Sequence, residues 1–358
     1  MADSSRFKHD RIRRALRQQI VQGILAPGGR LPTRDELQAR FAASRHTVQR
    51  ALEGLKRDGF ITTNGKLGTF VADNPPHLAH YGFVFPFRPP WSRFYTTLHA
   101  AALEMAASQS CRVTAYYSRM RGPADEDVAR LQADVRAHRL AGLVFAYPPG
   151  ELAGTPAVDQ PDMPRVGIIA APILRDMPVV FPDVDSFLTR ALEHLASRGR
   201  RRAALLWLDD PARHAGVLAG CGLEVRPQWN LRFHAALPAA ARQPVQLLLD
   251  RPPADRPDGL IVTDDNLVAD AVAGVIAAGV RVPQDLEIVS HANFPQPVPT
   301  SVPTTRLGFD CRTIMRLCFE TIAARRRGRE VPRETRVPAL FEEELGEPDA
   351  PALAAGSS

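Results

Sequence analysis

The residues best suited to chemistry in this 358-residue chain cluster near its start. They lie in Leu31-Pro-Thr-Arg-Asp-Glu-Leu37, Ser44-Arg-His-Thr-Val-Gln-Arg-Ala51 and Gly65-Lys-Leu-Gly-Thr-Phe-Val71. The chemistry on offer is contact with phosphates and base edges. Arg34, Arg45, Arg50 and Lys66 bring positive charge, and His46, Thr47, Gln49 and Asn64 bring short hydrogen-bonding groups. Thr33 with Glu36 three residues on is a capping box, sharpened by Pro32, and Ser44 is a second N-cap. Behind Ser44, Val48, Ala51, Leu52 and Leu55 recur at helical spacing. That leaves Arg45, His46, Gln49, Arg50, Glu53 and Lys56 facing away from the core. Gly59 to Thr63 and Leu67 to Val71 are β-type runs around Asn64-Gly65, a pair that tolerates the positive φ of a tight hairpin turn. Each element alone fits an ordinary small α+β domain with a basic surface. The ordered set, with Lys66 near the hairpin tip, predicts a winged helix-turn-helix whose second helix reads the major groove of double-stranded DNA.

Charge follows the same division. Residues 1–75 hold 14 Lys and Arg against 7 Asp and Glu, a net of +7, while the rest of the chain holds 31 and 32, for the overall +6. The positive excess therefore sits where counterion-releasing phosphate contacts need it. The four cysteines (Cys111, Cys221, Cys311, Cys318) show no Cys-x-x-Cys pair and no zinc spacing, and read as reduced apolar residues, with no metal and no cofactor expected. No signal segment is visible after the charged start, and Asp, Glu, Arg or Pro interrupts every apolar run short of membrane-spanning length. The expectation is a cytoplasmic protein without a membrane partner.

After the reader, Asp73 to His77 is a turn-rich break. This gives a DNA-binding domain over 1–73, a linker over 74–79, a large α/β region over 80–345 and a disordered Ala-, Pro- and Ser-rich tail over 346–358. Within the large region, strands are predicted at 81–85, 112–117, 142–145, 166–169, 203–208, 258–262 and 287–289. Helices are predicted at 97–108, 125–138, 185–197, 242–249, 265–278 and 311–325. Alternation of this length argues for parallel sheets with helices on both faces, in two lobes rather than one.

Two resemblances add to this reading. Ile12, Leu16, Ile20 and Ile24 on one helix face lead into Gly23-Ile-Leu-Ala-Pro-Gly-Gly-Arg-Leu-Pro32, so residues 8–73 resemble the GntR-type winged-helix domain from end to end. The resemblance implies DNA contacts from Arg45 and Thr47 of the Ser-Arg-x-Thr-Val motif and a wing at Gly65 and Gly68. Arg34-Asp35 and Gln49 depart from that family's usual residues, which separates the operator preference from that of its relatives. Pro257 to Ala271 and Ala278 to Ser290, with Val184 to Leu195 before them, are similar to the ligand-binding part of LacI-type repressors, relatives of periplasmic sugar-binding proteins. This implies a two-lobed parallel α/β fold, a small sugar-like effector in a cleft at the carboxyl ends of the strands, and a homodimer.

Under that resemblance the ligand candidates are Asp265, Arg213, Phe94, Tyr95, Asn293 and, as an addition to the aromatic platform, Trp91. Each has a second reading. Asp265 is equally a helix N-cap, Arg213 a surface cation, and Phe94 and Tyr95 core packing. Ser290-His-Ala-Asn293 lacks the family's carboxylate at 292, so the effector's identity stays open. The run Arg325-Arg-Arg-Gly-Arg329 reads as a solvated helix end. An enzyme is the competing class. A pyridoxal-phosphate domain needs a Schiff-base lysine, and the chain's lysines, Lys8, Lys56 and Lys66, all lie in the reader. There is no Gly-x-Ser-x-Gly elbow, P-loop or His-Glu-x-x-His. A scaffold that has lost DNA recognition is the third class, opposed by the intact caps, Arg45 and wing. The sequence thus reads as a ligand-responsive DNA-binding transcription regulator.

Overall fold

The computed structural model describes residues 2–90, 92–118, 126–169, 177–208, 210–234 and 238–346. Three helices open it: α1 (Ala2–Val21), α2 (Arg34–Phe41) and α3 (Arg45–Arg57). Apolar residues three and four apart on α1 put Ile12, Leu16 and Ile20 against Leu37 of α2 and Val48, Ala51 and Leu55 of α3. The caps form as the residue types require. The Thr33 hydroxyl accepts from the Glu36 amide at 3.3 Å, and the Glu36 carboxylate accepts from the Thr33 amide at 2.7 Å. At α3 the Ser44 hydroxyl accepts from the Thr47 amide at 3.3 Å.

The hairpin that follows pairs β1 (Ile61–Asn64) with β2 (Gly68–Val71) in antiparallel register, from Ile61 opposite Val71 to Asn64 opposite Gly68. Gly65–Leu67 forms a 3-10 turn between them. The expected Asn-Gly turn is corrected here. Asn64 keeps φ at −115° and ends its strand, while the positive φ values fall on Gly65 (+44°) and Gly68 (+118°). Both values lie in the region that glycine adopts without the strain an L side chain meets there.

Onward, the chain runs α4 (Pro76–Ala79), β3 (His80–Phe85), α5 (Arg93–Ser108), β4 (Arg112–Tyr117), α6 (Glu126–Arg136), β5 (Gly142–Phe145), α7 (Pro156–Asp159), β6 (Arg165–Gly167) and β7 (Val179–Pro182). Then come α8 (Val184–Ser197), β8 (Ala203–Trp207), α9 (Ala215–Gly220), β9 (Asn230–Arg232), α10 (Arg242–Leu249), β10 (Gly259–Val262) and α11 (Val268–Ala277). The last elements are β11 (Glu287–Phe294), β12 (Thr305–Asp310), α12 (Cys311–Arg326), β13 (Glu334–Val337) and β14 (Leu340–Phe341).

Two compact units result, one within residues 1–88, 106–178 and 318–331, the other within 89–105, 179–317 and 332–358. The first joins the reader to a parallel run of strands in the order β4-β3-β5-β6. Both faces of that run are covered, so β3 and β5 are continuous apolar stretches: Phe83, Val84, Phe85, Leu143, Val144 and Phe145 are all buried. The second unit holds a sheet in the order β14-β12-β11-β10-β8-β9, parallel except at its β14 edge, and the parallel pair β7-β13. Its core packs α10 and α11, through Val245, Leu248, Val268, Ala271 and Val275, onto Leu206, Leu260, Val262 and Ile288 of the sheet.

The segment expected as a linker has structure of its own. Residues 76–79 form a helical turn, and Pro75, Pro76 and His77 are buried. The proline pair fixes φ at a helix start, and the apolar rings then pack instead of staying in solvent. The tail beyond residue 346 lies outside the described residues.

Candidate DNA-reading surface and effector site

The exposed side of α3 begins at its N-cap. Arg45, His46 and Arg50 are exposed there, Arg34 is exposed at the start of α2, and Asn64 and Gly65 are exposed on the wing. No acidic residue occupies the first turn of α3, so the positive end of the helix dipole adds to these cations. Gln49 is half-buried and donates to Glu53 at 2.8 Å, which braces its amide along the helix. Thr47 differs from the rest of the set. It is buried, 5% exposed, and its hydroxyl lies 2.9 Å from that of Ser44. In this geometry its hydroxyl reinforces the cap. Gly68 is half-buried, and the Lys66 side chain lies outside what the structure describes.

In the second unit, adjacent parallel strands β8, β10, β11 and β12 all deliver polar residues at their carboxyl ends. Asp265 follows β10 by three residues, and Asn293 is the penultimate residue of β11. The Asn293 amide donates to Asp265 Oδ2 at 2.8 Å, and both residues are buried. The sequence did not offer the third member. Arg93, first residue of α5, holds its Nε 3.5 Å from the same oxygen, and its backbone amide donates to Asn266 Oδ1 at 3.3 Å. Arg93 and Asn266 are 173 positions apart. No local pattern marks such a pair.

The helix-cap reading of Asp265 is corrected. Helix α11 begins at Val268 with Leu267 as its cap, and Asp264 is the residue that accepts from the Asn266 amide at 2.9 Å. Asp265 is thus a buried carboxylate without a capping task. Burial pushes its pKa up, with Asp264 in support, while His291, the Asn293 hydrogen bond and Arg93 pull it down. His291 on β11 stands between the rings of Phe187 (5.4 Å) and Phe309 (5.5 Å). Three buried atoms here have no hydrogen-bond partner among the described residues: Asn293 Oδ1, His291 Nδ1 and Arg93 Nε. Such atoms are uncommon because each forfeits solvation. A carboxylate, an amide oxygen and a guanidinium close together can accept from and donate to vicinal hydroxyls.

Arg213 is exposed, in the turn Pro211–His214 after β8, the strand beside β10. The turn is held at both ends. Asp210 accepts from the Ala212 amide at 3.2 Å, and His214 Nδ1 lies 2.7 Å from Asp185 Oδ1, with its ring stacked 5.8 Å from that of Trp207. Phe94 and Tyr95 follow Arg93 in the first turn of α5, half-buried, with ring centroids 6.1 Å apart. Residues 89–105, which carry both rings, belong to the same compact unit as Asp265. Trp91 lies outside the described residues.

The first unit has its own polar strand ends, which the sequence reading did not single out. The hydroxyls of Ser118, just after β4, and Tyr147, just after β5, are in direct contact. The Arg88 guanidinium lies 4.8 Å from the Tyr117 ring centre and pairs with the buried Asp127. Among the described residues no group of three His, Cys, Asp or Glu is placed to hold a metal, and no helix is long and apolar enough to cross a membrane.

Comparison with known proteins agrees with this division. Residues 8–71 match the model of the gntR family of bacterial regulatory proteins, and residues 192–342 match a periplasmic binding protein-like domain. The arabinose metabolism transcriptional repressor of Halalkalibacterium halodurans is 21% identical over 87% of this chain and 89% of its own length. The repressor of the same name from Geobacillus stearothermophilus is 22% identical over 86% of this chain and 88% of its own length. A regulatory protein of the LacI family from Chloroflexus aggregans superposes with a TM-score of 0.57 at 19% identity, covering 73% of this chain and 96% of that one, a likeness of fold. The chain is therefore a transcription regulator in which a DNA-binding domain of the GntR family is joined to a periplasmic binding protein-like domain of the LacI-regulator fold.

Proposed function

We propose that the protein is a sugar-responsive repressor that binds its operator as a homodimer. Arg45, His46 and Arg50 contact DNA from α3 with Arg34 and the wing (Asn64 to Gly68) beside them, and Thr47 contributes through the cap. The effector is bound by Asp265, Asn293, Arg93 and Arg213, with Phe94 or Tyr95 as an apolar face for its C–H bonds. The observation that carries this reading is the buried Asp265–Asn293 pair at the carboxyl ends of β10 and β11. Its amide oxygen has no partner among the described residues, and burial raises the pKa of its carboxylate. A fold gains nothing from such a group unless a ligand completes it.

Dimerisation has support on the outer face of α11 and its neighbour α10. Ile276 is 50% and Leu247 60% exposed, with Ala269 and Ala277 also exposed, so an apolar strip lacks a cover among the described residues. As a regulator of genes it works in the cytoplasm. The names of the relatives in H. halodurans and G. stearothermophilus make L-arabinose the first compound to try. The test is a thermal-shift screen of pentoses, hexoses and sugar acids, followed by electrophoretic shift on duplexes that the full-length protein selects from a random pool. A sugar that raises the melting midpoint and releases selected DNA is the expected result. Failure to select any DNA would end the repressor reading, and selective DNA binding without response to any polyol would end the sugar reading.

A further inference from the structure

Asp58 of the reader bonds directly to the first lobe. This residue closes the C-terminal end of α3, and its side chain is 9% exposed. Its carboxylate accepts from two guanidinium groups, Arg17 of α1 at 2.6 Å and Arg139, between α6 and β5, at 3.1 Å. Arg139 also pairs with Asp134 of α6 at 2.7 Å, and Asp134 accepts from the Tyr116 hydroxyl of β4 at 2.7 Å. An unbroken series of charged contacts thus runs from the reading helix into the sheet of the effector domain. Around it the packing is close. Phe60 stacks on His77 at 5.9 Å with rings 10° apart, Arg17 lies 5.3 Å over Phe60, and Arg326 of α12 donates to the Leu78 carbonyl at 2.9 Å.

Charges removed from water are tolerated only with partners in place, so a buried ion cluster penalises every other arrangement of the pieces that supply it. A linker meant to swing would leave its polar groups in solvent. Here Asp58 belongs to the reader and Arg139 to the lobe, and the bond between them joins the Arg17–Asp58 pair of the reader to the Arg139–Asp134 pair of the lobe. The two ends of α3 also divide the work. Its N-terminal end carries Arg45 and His46, and its C-terminal end carries Asp58, a separation of about 20 Å for 13 residues at 1.5 Å each.

We infer that Arg139 is a positioning residue for operator recognition: through Asp58 it fixes the angle of α3 on the first lobe, and so fixes the distance between the two reading helices of the dimer. The inference rests on the dimeric repressor reading, and its test separates the two. Wild type, Asp58→Asn and Arg139→Gln, all full-length, are titrated with a duplex selected by wild type from a random pool. The same duplex with five base pairs inserted between half-sites, about half a helical turn, and a single half-site are titrated alongside. Wild type loses about a hundredfold or more in affinity on insertion, because a rigid joint keeps the second reader from reaching a half-site turned to the other face of the duplex. Both variants lose less than about tenfold, with single half-site affinity within twofold of wild type, a combination that damage to the reading helix itself would not give.

Variants that keep the wild-type spacing penalty, or that lose half-site binding with it, overturn the inference. A second measurement needs no DNA. Backbone amides from Asp58 to Phe60 and at Leu78 and Ala79 should exchange faster in both variants, with those of β3 and β5 unchanged. Unchanged exchange at the joint overturns the inference even if wild type selects no DNA, an outcome that would by itself remove only the repressor reading. Should Arg139→Gln fail to fold, the near-isosteric Asp58→Asn carries both comparisons.

Discussion

Replacing Asp265 by an asparagine tests the effector site at its centre, because function and stability should move in opposite directions. The substitution keeps shape and leaves an oxygen to accept from Asn293, now 2.8 Å from the carboxylate. What it removes is the charge. A hydrogen bond to a charged group contributes about 1.5–3 kcal/mol, so one lost charge-assisted bond to a sugar hydroxyl weakens effector binding roughly ten- to a hundredfold. Stability should not fall with it at neutral pH. Burial is the leading cause of the raised Asp265 pKa, so the folded state binds this proton more tightly than the unfolded chain. Wild-type stability contributed by this group is then greatest below the unfolded carboxyl value and declines as pH rises through the folded one. The amide of Asp265→Asn never ionises. The variant's melting midpoint should be equal to or above that of wild type at pH 7, and the difference should shrink as pH falls through the carboxyl range. Calorimetric titration with the sugar found by thermal shift, and melting curves from pH 4 to pH 7, read both quantities. An effector affinity within twofold of wild type would refute the placement of this carboxylate in the site. A midpoint well below wild type at pH 7 would refute the claim that its charge is held at a cost.

Three further outcomes are expected. Arg45→Ala should weaken operator binding by about 1–3 kcal/mol and relax base preference, measured by electrophoretic shift on the selected duplex and on single-base variants of it. His77, with its pKa brought down to about 4 by burial and then by Arg326, stays neutral in the folded state, while the unfolded imidazole takes up a proton near 6.5. Stability should therefore fall by about 2 kcal/mol from pH 7 to pH 5 on its account. His77→Phe, which keeps the stack on Phe60, should flatten that part of the urea-midpoint profile. Ile276→Asp, on the exposed apolar strip of α11, should give a monomer by sedimentation and lose the preference of wild type for a two-half-site operator over a single half-site; a dimer in this variant would move the interface elsewhere.

The reader was legible because its signals are local. A capping box spans four residues, the α3 core face repeats within eight, and a hairpin announces itself in its glycines. Where the local signal was degenerate the reading slipped: Asn-Gly suits a two-residue turn, but the strand pairing of Asn64 with Gly68 selected a longer one. The central strands β3, β5, β8 and β10 were legible as unbroken apolar runs, while β12, inside the sheet between β11 and β14, was not. The edge strands β9 and β13 were not, since Asn230-Leu-Arg232 and Glu334-Thr-Arg-Val337 stay partly exposed and carry no such run. Asp265 was found by type and position, and its role was open because capping and ligand binding use the same residue. The late start of α11 at Val268 removes the capping task and leaves the effector role as the proposal. Arg139 and Asp58, 81 positions apart, left no mark at all, since an ion pair between distant segments has no period.

The joint and the effector site belong to one thermodynamic argument. If a sugar lowers operator affinity by some factor, operator must lower sugar affinity by the same factor, because both measure one coupling free energy. That energy can reach α3 only through contacts that differ between the DNA-competent and DNA-incompetent states. A rigid joint at Asp58, at the end of α3 away from the base-reading residues, would carry a movement of the lobe to α3 and so change the contacts α3 makes with DNA. Loosening it should therefore shrink the coupling equally from both sides while leaving each ligand's own site intact. Sugar titrations of wild type and Asp58→Asn, with and without saturating operator duplex, measure this directly. Coupling that stays at its wild-type value in Asp58→Asn would mean that the signal reaches the reader by contacts other than this joint.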